Sequence, residues 1–480
     1  MFTPNETNKM KKIITSLFIA PWLLLSCESL DESVYSELTP QVLNTQNGAL
    51  SLLNSAYSNA SLVTLGNGGV QLYFLSAMPS GEAWNQGGNI EAQLTPLTNF
   101  TWDSNHSFFN EVWRVAYAAI RDANLLLAEI PNTTLPENFK ERVIAEATFI
   151  RGFSYSLLYN WFGPVPLITE ETTDYYVAKA SDEAIREFIE KDLLWAVEKL
   201  PLNQPEFGRA SKGAALGVLA KFYLNTKQWQ KTIETTRKII ALGTYELLDS
   251  YQKVFALDNE GNPEILWALT RHPQGGAIFL NALTFPTDYP LLPNLGVYAA
   301  RTYVYDDFVY SFDSADERGK LFVTEYTNTA GQLIQLLGKN QTLPYKYEFD
   351  PNSSGPGTGN DFPIVRYSDI LLSLAEALNE VQGPQQETID LINAVRTRAK
   401  VSPIELAGHT QQSLRERIYQ EREWEFYSEA KRREDQIRLG TFITKAVNER
   451  NKNAKPHHVL FPIPEIELNA NPNLKQNDGY

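Results

Sequence analysis

Apolar side chains recur at helical spacing along most of the chain after about residue 48. In the clearest examples, the apolar residues that follow Trp113 and Val143 at intervals of three and four line one side of a helix. Ser181 precedes two acidic residues and is well placed to cap the start of another helix. The segments with helical spacing are 48–62, 113–127, 143–157, 181–199, 211–225, 228–242, 367–380, 387–400 and 414–439. This pattern predicts a mostly α-helical protein.

Two of these helices form a pair around a tight turn at Thr226 and Lys227. Within the pair, small residues such as Ala214 and Gly217 face larger ones at spacings that resemble a tetratricopeptide repeat. One such pair cannot bury its apolar face alone, so it must stack on other helices. The predicted fold is therefore a scaffold of tetratricopeptide-like helix pairs.

Two long stretches between the helices lack this spacing. Residues 63–106 are rich in Gly, Asn and Gln, and residues 244–365 contain many prolines. We expect irregular loops in both stretches, with one small β-hairpin formed by the β-prone sequences 322–328 and 333–337. The closing segment 461–480 has too many prolines for regular structure, but its apolar residues predict that it packs against the body.

The N-terminal segment has the order of a cleavable export signal. Three lysines precede the apolar run 13–25, which at 13 residues is shorter than the roughly 20 that a spanning helix needs. Cys27, the only cysteine, directly follows Leu-Leu-Ser, as in the lipobox of bacterial lipoproteins. We therefore predict a signal peptide over residues 1–26, starting at Met1 or Met10, then a lipidated Cys27 and a tether over 27–46. The alternative is an ordinary signal peptide with a chance cysteine.

Composition and charge argue against several classes of partner and site. The formal net charge of −15 argues against nucleic acid as a partner, because phosphates demand clustered Lys and Arg. A single cysteine excludes disulfides within the chain and thiolate zinc sites. The five histidines are scattered, so neither a metal centre nor another cofactor is expected.

Three glutamates, Glu421, Glu425 and Glu429, follow one another at intervals of four within a predicted helix. Two carboxylates that cleave a glycoside must face each other across the sugar, about 5–10 Å apart, whereas these three share one side of one helix. Arginines one turn away favour an ion-pair lattice on the helix surface instead. Arg151 and Arg396 are likewise expected to be ion-pair struts of the scaffold. No catalytic residue is predicted.

Residues 306–317 contain five acidic side chains and are a candidate calcium site. The acidic residues are Asp306, Asp307, Asp313, Asp316 and Glu317. Their spacing lacks the glycine and the terminal glutamate of an EF-hand loop. A solvated charged turn is the preferred interpretation, with calcium as the alternative.

Trp84 and Trp102 differ in context from the other tryptophans. Both lie among Gly, Asn, Gln and Asp in the stretch that lacks helical spacing. An indole in a polar loop can cover the C–H face of a sugar while neighbouring amides bond its hydroxyls. The alternative for each is that the indole fixes its loop to the scaffold.

The longer motifs, taken in order, resemble the SusD/RagB family. The matching segments are WRVAYAAIRDANLLL (113–127), EATFIRGFSYSLLYNWFGPVPLI (146–168), ASKGAALGVLAKFYL (210–224), RYSDILLSLAEALNE (366–380), INAVRTRAKV (392–401), ERIYQEREWEFYSEAKRREDQIRLG (416–440) and FPIPEIELNANPNLKQNDGY (461–480). The resemblance covers essentially the whole chain after the signal. It implies one SusD-like domain over about 47–480, with an N-terminal half to about 243, a loop-rich insertion over about 244–365, and a helical half from about 366.

The resemblance also implies a function. Members of this family are non-catalytic lipoproteins of the outer-membrane surface, which bind glycan and deliver it to a SusC-like TonB-dependent transporter. Because glycan-binding members carry aromatic contacts in these loop regions, the candidate ligand-binding residues are Trp84, Asn85, Gln86, Asn89, Trp102, Tyr289, Tyr298, Arg301 and Tyr303. A RagB-like protein of the same architecture that binds peptide or another nutrient is the alternative. A glycosidase is disfavoured because the sequence offers no catalytic constellation.

Overall fold

Helices are the main elements of the computed structural model, which describes residues 40–62, 69–298 and 301–480. The predicted signal peptide and lipidated Cys27 lie outside these residues. The α-helices are α1 (Pro40–Leu43), α2 (Gln46–Ala60), α3 (Gln71–Ala77), α4 (Glu91–Asn99), α5 (Ser107–Glu129), α6 (Glu137–Phe162), α7 (Asp182–Lys199), α8 (Lys212–Asn225), α9 (Trp229–Ala241), α10 (Leu280–Thr284), α11 (Asp306–Tyr310), α12 (Tyr367–Gln382), α13 (Gln386–Arg398), α14 (Gln411–Phe426), α15 (Arg432–Leu439), α16 (Phe442–Asn448) and α17 (Glu465–Ala470). Short 3₁₀ turns occur at Ile130–Asn132, Gln252–Phe255, Leu257–Asn259, Gly319–Leu321 and Pro456–Val459.

The long helices stack on one another nearly in chain order. Helix α2 packs on α5, and α5 to α9 then pack each on the next. Helix α9 packs on α12, which also contacts α13 and α14. Stacking of this kind gives each amphipathic pair a second surface on which to bury its apolar face. The predicted mostly α-helical scaffold of stacked helix pairs is confirmed.

Local signals in the sequence set several helix ends. The Ser181 hydroxyl accepts a hydrogen bond from the Ala184 amide at 3.1 Å and caps α7, as predicted. Ser211 caps α8 in the same way through the Ala214 amide. Between α8 and α9, Lys227 takes a left-handed conformation with φ of 58°, which closes the tight turn.

The strands within the described ranges are short and form four separate antiparallel pairs. They are β1 (Ala83–Asn85), β2 (Ile265–Leu269), β3 (Thr302–Val304), β4 (Phe322–Val323), β5 (Glu325–Thr327), β6 (Leu333–Gln335), β7 (Leu343–Pro344) and β8 (Phe362–Arg366). The pairs are β1 with β3, β2 with β8, β4 with β7, and β5 with β6. The β5–β6 pair is the hairpin predicted from the sequence.

The expectation of an irregular stretch over 63–106 is wrong for part of it, because α3 and α4 lie within it. Helix α3 is buried on nearly every side, so its sequence shows no alternation between apolar and polar faces. Helix α4 buries only Leu94 and Leu97. One turn of apolar positions is too short for helical spacing to stand out. Similarly, α17 interrupts the closing segment, which was expected to lack regular structure.

The single helix predicted over 414–439 is interrupted in the structure. Helix α14 ends at Phe426 and α15 begins at Arg432, with Ser428 and Ala430 at φ of 60° and 58° between them. Glu429 lies in this break and forms buried ion pairs with Arg366 and Lys346.

The acidic stripe is not on the surface, which corrects the predicted surface lattice. Glu421 and Glu425 are 0% exposed and Glu429 is 1% exposed. Their basic partners are also buried. Glu421 pairs with Arg318 and Arg396, and Glu425 pairs with Arg318, Arg366 and Arg398. Glu429 pairs with Arg366 and Lys346. The stripe is a buried charge network that ties α13 and α14 to the insertion.

The two predicted struts are confirmed. Arg151 donates to both carboxylate oxygens of Asp192, at 2.7 and 3.0 Å, and thereby joins α6 to α7. Arg396 donates to Glu421 at 2.8 Å, within the buried network.

The closing segment is packed, as predicted. Phe461 and Ile463 are fully buried, and the Asn477 side chain donates to the carbonyls of Phe162 and Phe461. The last residue, Tyr480, accepts a hydrogen bond from the Trp102 indole at 2.9 Å. None of the described helices has both the length and the apolarity that crossing a bilayer requires.

Candidate functional site

Strands β1 and β3 bring together two segments that are far apart in the chain. Trp84 pairs with Tyr303, and Asn85 with Thr302. The Arg301 carbonyl accepts from the Gln86 amide and from the Asn85 side chain, both at 3.0 Å, although Asn85 and Arg301 are 216 residues apart. The two loop regions in which the sequence predicts ligand contacts therefore meet in one place.

Trp84 is half-buried and is held at one edge. Its ring lies 5.4 Å from that of Tyr303 and 6.4 Å from that of Tyr305, and its Nε1 donates to the Asn340 carbonyl at 2.7 Å. These contacts fix the orientation of the indole while part of its surface stays open to solvent. A fixed, partly exposed aromatic ring is suited to bind an apolar face of a ligand at little cost in entropy.

Further aromatic rings extend this surface. Half-buried Tyr289 and Tyr326 have ring centroids 5.0 Å apart, and the Tyr326 hydroxyl donates to Asp288 at 2.9 Å. Both rings pack against a satellite core that contains Tyr303, and Trp84 packs against the same core. Tyr303 is only 5% exposed, so this predicted ligand contact supports Trp84 and has no open face for a ligand. We call the rings of Trp84, Tyr289 and Tyr326 the aromatic platform.

Polar side chains lie beside the aromatic platform. Gln86 and Arg301 are exposed, and the Gln341 amide donates to the Gln86 side chain at 3.1 Å. Burial raises the pKa of Tyr303, and burial together with the bond to Asp288 raises that of Tyr326. Both phenols therefore stay protonated at neutral pH, and Tyr326 uses its one donor in the hydrogen bond to Asp288.

Three predicted residues lie apart from this arrangement. Trp102 is only 6% exposed and packs among Phe100, Phe109, His458 and Phe461, so its indole has no face left for a ligand. We therefore remove it from the candidate site. Tyr298 is exposed, but its ring neighbours Phe279. Asn89 is exposed at the turn before α4, three residues beyond Gln86.

Sequence reasoning missed Asp288, Tyr326, Asn340 and Gln341 as members of the site. Tyr326 lies in the predicted hairpin, where its position between two polar residues was the available signal. Nothing in the sequence indicates that the segment after the hairpin reaches Trp84, because the bond from Trp84 to Asn340 spans 256 residues.

The acidic cluster at 306–317 is only partly the solvated turn predicted from the sequence, because Asp307 and Asp313 are exposed whereas Asp306 and Asp316 are buried. Asp316 is buried and binds Arg318, while Asp307 binds Arg450 at 2.7 Å. The Asp306 carboxylate accepts from the Asn340 amide at 2.8 Å and so helps to hold the segment that binds Trp84. Among the described residues, no three His, Cys, Asp or Glu side chains are placed to hold a metal ion.

The chemistry of the site is that of recognition. Half-buried rings offer apolar faces, and the exposed amide and guanidinium groups beside them bond hydroxyl or carbonyl oxygens. Such a surface suits a ligand whose apolar C–H faces alternate with hydroxyls, as in a pyranose chain.

Comparison with known proteins agrees with this fold along most of the chain. A family model described as SusD family matches residues 324–480, and one described as starch-binding, associating with outer membrane, matches residues 28–224. A SusD-like protein of Formosa agariphila is 30% identical over 415 residues, which cover 77% of this chain and 79% of the relative. The starch-binding protein SusD of Bacteroides thetaiotaomicron is 24% identical over 476 residues, covering 83% and 82%.

A solved structure shows the same fold. Surface glycan-binding protein A from Bacteroides thetaiotaomicron, in complex with laminarihexaose, superposes with a TM-score of 0.76 at 18% identity. The match covers 90% of this chain and 99% of the other.

Proposed function

Because this chain belongs to the SusD family, we propose that it is a non-catalytic lipoprotein of the outer-membrane surface that captures a glycan and delivers it to a SusC-like TonB-dependent transporter. Two relatives support glycan as the ligand class, since one is named for starch and the other is bound to laminarihexaose. The relatives are binding proteins, which also supports a role without catalysis.

One observation in this chain carries the proposal. The pairing of β1 with β3 places a half-buried Trp84 beside exposed Gln86 and Arg301. Peptide recognition by strand addition would instead use an open strand edge for main-chain bonds. The platform offers ring faces and side-chain amides, which favours glycan over the RagB-like peptide ligand.

Replacing Trp84 by alanine is expected to weaken glycan binding about thirtyfold or more. An aromatic anchor at the centre of a binding site contributes about 2 kcal/mol or more on truncation. The measurement is calorimetric titration of the purified variant with a panel of neutral and acidic glycans, and with peptides as the alternative ligand class.

Trp195→Ala provides the matched control for this variant. Trp195 is also half-buried, but it lies on α7 among Glu187, Glu198 and Leu194, and shares no contact with the platform. We expect it to bind glycan as the wild type does. Wild-type affinity in Trp84→Ala, or binding of peptides alone, would contradict the proposed site or its ligand class.

Replacing Cys27 by serine is expected to release the protein from the membrane fraction or to stall its processing. Stable anchoring needs more than one acyl chain, each contributing about 0.8 kcal/mol per buried CH₂, and serine carries none. Fractionation of cells after a high-salt wash gives the readout, with the wild type as the membrane-bound reference. A serine variant that stays in the outer membrane would refute lipidation at Cys27.

A further inference from the structure

A concave site lies between α6, α8 and α15 and shares no residue with the aromatic platform. It encloses about 290 Å³ and is closed on one side by β8. Its walls are mostly apolar, with Phe153, Leu157, Val218, Phe222 and Ile437 contributed by the three helices. Concave, largely apolar sites with a few converging polar groups are the usual form of small-molecule sites.

The carboxylates of this cavity already have partners. Glu434 accepts from the amides of Asn160 and Asn225 at 2.8 and 3.0 Å. Asp182 accepts from the Tyr159 hydroxyl at 2.6 Å, and Glu429 belongs to the buried charge network. Each of these carboxylates therefore already has a donor partner within the protein.

The two lysines of the cavity differ from these carboxylates, because their ammonium groups are buried and incompletely bonded. Lys221 and Lys431 are 8% and 7% exposed. Lys221 lies 3.4 and 3.3 Å from the two carboxylate oxygens of buried Asp369 and 3.9 Å from Glu434, so its contacts within the described residues are long. Lys431 donates to the Ile364 carbonyl and, within the described part of the chain, forms no ion pair. Each ammonium carries three N–H donors, so each has donors left over.

We propose that this cavity binds a small amphipathic carboxylate, with its apolar body against Phe153, Val218 and Phe222 and its carboxylate between Lys221 and Lys431. Unused donors on two buried cations call for an anionic acceptor, since buried charges are stabilised by pairing. Burial lowers the pKa of Lys221, and a bound carboxylate would raise it again.

The test compares octanoate with octanamide, which has a similar shape and no charge. Calorimetric titration uses the full chain with Cys27→Ser, so that neither a lipid nor a detergent competes for the cavity. We expect saturable binding of octanoate that is at least about tenfold tighter than that of octanamide, because only the acid pairs with the ammonium groups. Lys431→Met and Lys221→Met should each remove most of this preference.

Val218→Phe is expected to abolish binding of both compounds by filling the cavity. Val381→Phe, at a position 48% exposed and outside the cavity, is its matched control. Because the cavity and the platform are separate, Val218→Phe should still bind glycan, which also verifies that the variant is folded. The proposal fails if octanoate does not saturate the wild type, if octanamide binds equally well, or if Val218→Phe binds octanoate normally. The acid–amide comparison on the wild type decides the question even if a lysine variant does not fold.

Discussion

Replacing Arg366 by methionine is expected to destabilise the protein by about 3–5 kcal/mol, because it leaves buried carboxylates without their partner. Arg366 is 1% exposed and bonds Glu264 at 2.6 Å, Glu425 at 3.0 Å and Glu429 at 2.7 Å. All three carboxylates are buried, so water cannot replace the guanidinium. Urea unfolding of the wild type and the variant at pH 7 gives the difference in free energy.

The stability that Arg366→Met loses should be smaller at low pH. This pH dependence separates the loss of charge pairing from the loss of packing. Burial alone would raise the pKa of Glu425, but Arg398, Arg366 and Arg318 outweigh it and hold the pKa well below its usual range. Stability from such a group is present above the ordinary glutamate pKa of about 4.3 and is lost as the pH falls through the lower folded value. Arg366→Met keeps less of this stability. The difference in unfolding free energy between the wild type and the variant should therefore be larger at pH 7 than at pH 4.

An exposed ion pair serves as the control for Arg366. Arg237 bonds Glu387 at 2.8 Å, with about half of each side chain exposed, at 53% and 46%. Arg237→Met should change stability by less than about 1 kcal/mol, because surface pairs gain little over hydration. An Arg366 variant as stable as this control would mean that the buried network contributes little.

Replacing Trp102 by alanine is expected to cost about 3–5 kcal/mol of stability while glycan binding at 25 °C is retained. The indole packs 4.8 Å from His458 and 4.9 Å from Phe100, and its Nε1 binds Tyr480. The substitution therefore creates a cavity and loosens the closing segment. Thermal melts and calorimetric titrations on the same purified variant give both quantities.

Trp84→Ala is the comparison variant for Trp102→Ala, and the expected effects on stability and on glycan binding are reversed. Trp84 is only half-buried, so its loss should reduce binding much more than it reduces stability. If Trp102→Ala instead melted normally and lost its glycan, the ligand site would have to be sought near the closing segment.

Local sequence patterns were sufficient to predict the helical scaffold. The spacing of apolar residues located α7 to α9, α12 and α13 to within a few residues, and Ser181 and Ser211 marked helix starts. It placed the starts of α5 and α6 several residues too late and ran past the end of α14 at Phe426. These signals work because a helix closes its hydrogen bonds within about four residues and shows its apolar stripe in any short window. The β5–β6 hairpin was predictable for the same reason, since its strands are neighbours in the chain.

Local sequence did not predict which individual side chains are buried. Trp84 and Trp102 have similar polar surroundings in the sequence, yet one lies half-open beside Tyr303 and the other lies in the core. In the sequence, Glu421 and Glu425 have the pattern of surface residues on a charged helix. In the structure they are buried against Arg318 from the insertion and Arg366 from β8.

Local patterns in the sequence predicted the stack of helix pairs and the hairpin, and the family resemblance pointed to the two regions of candidate ligand contacts. Neither indicated that Asn85 meets Arg301 across 216 residues, that Tyr326 joins the platform, or that the acidic stripe is buried. Contacts within one helical turn follow from the chain's own geometry. Contacts across the fold depend on how every intervening element packs, which no local pattern records.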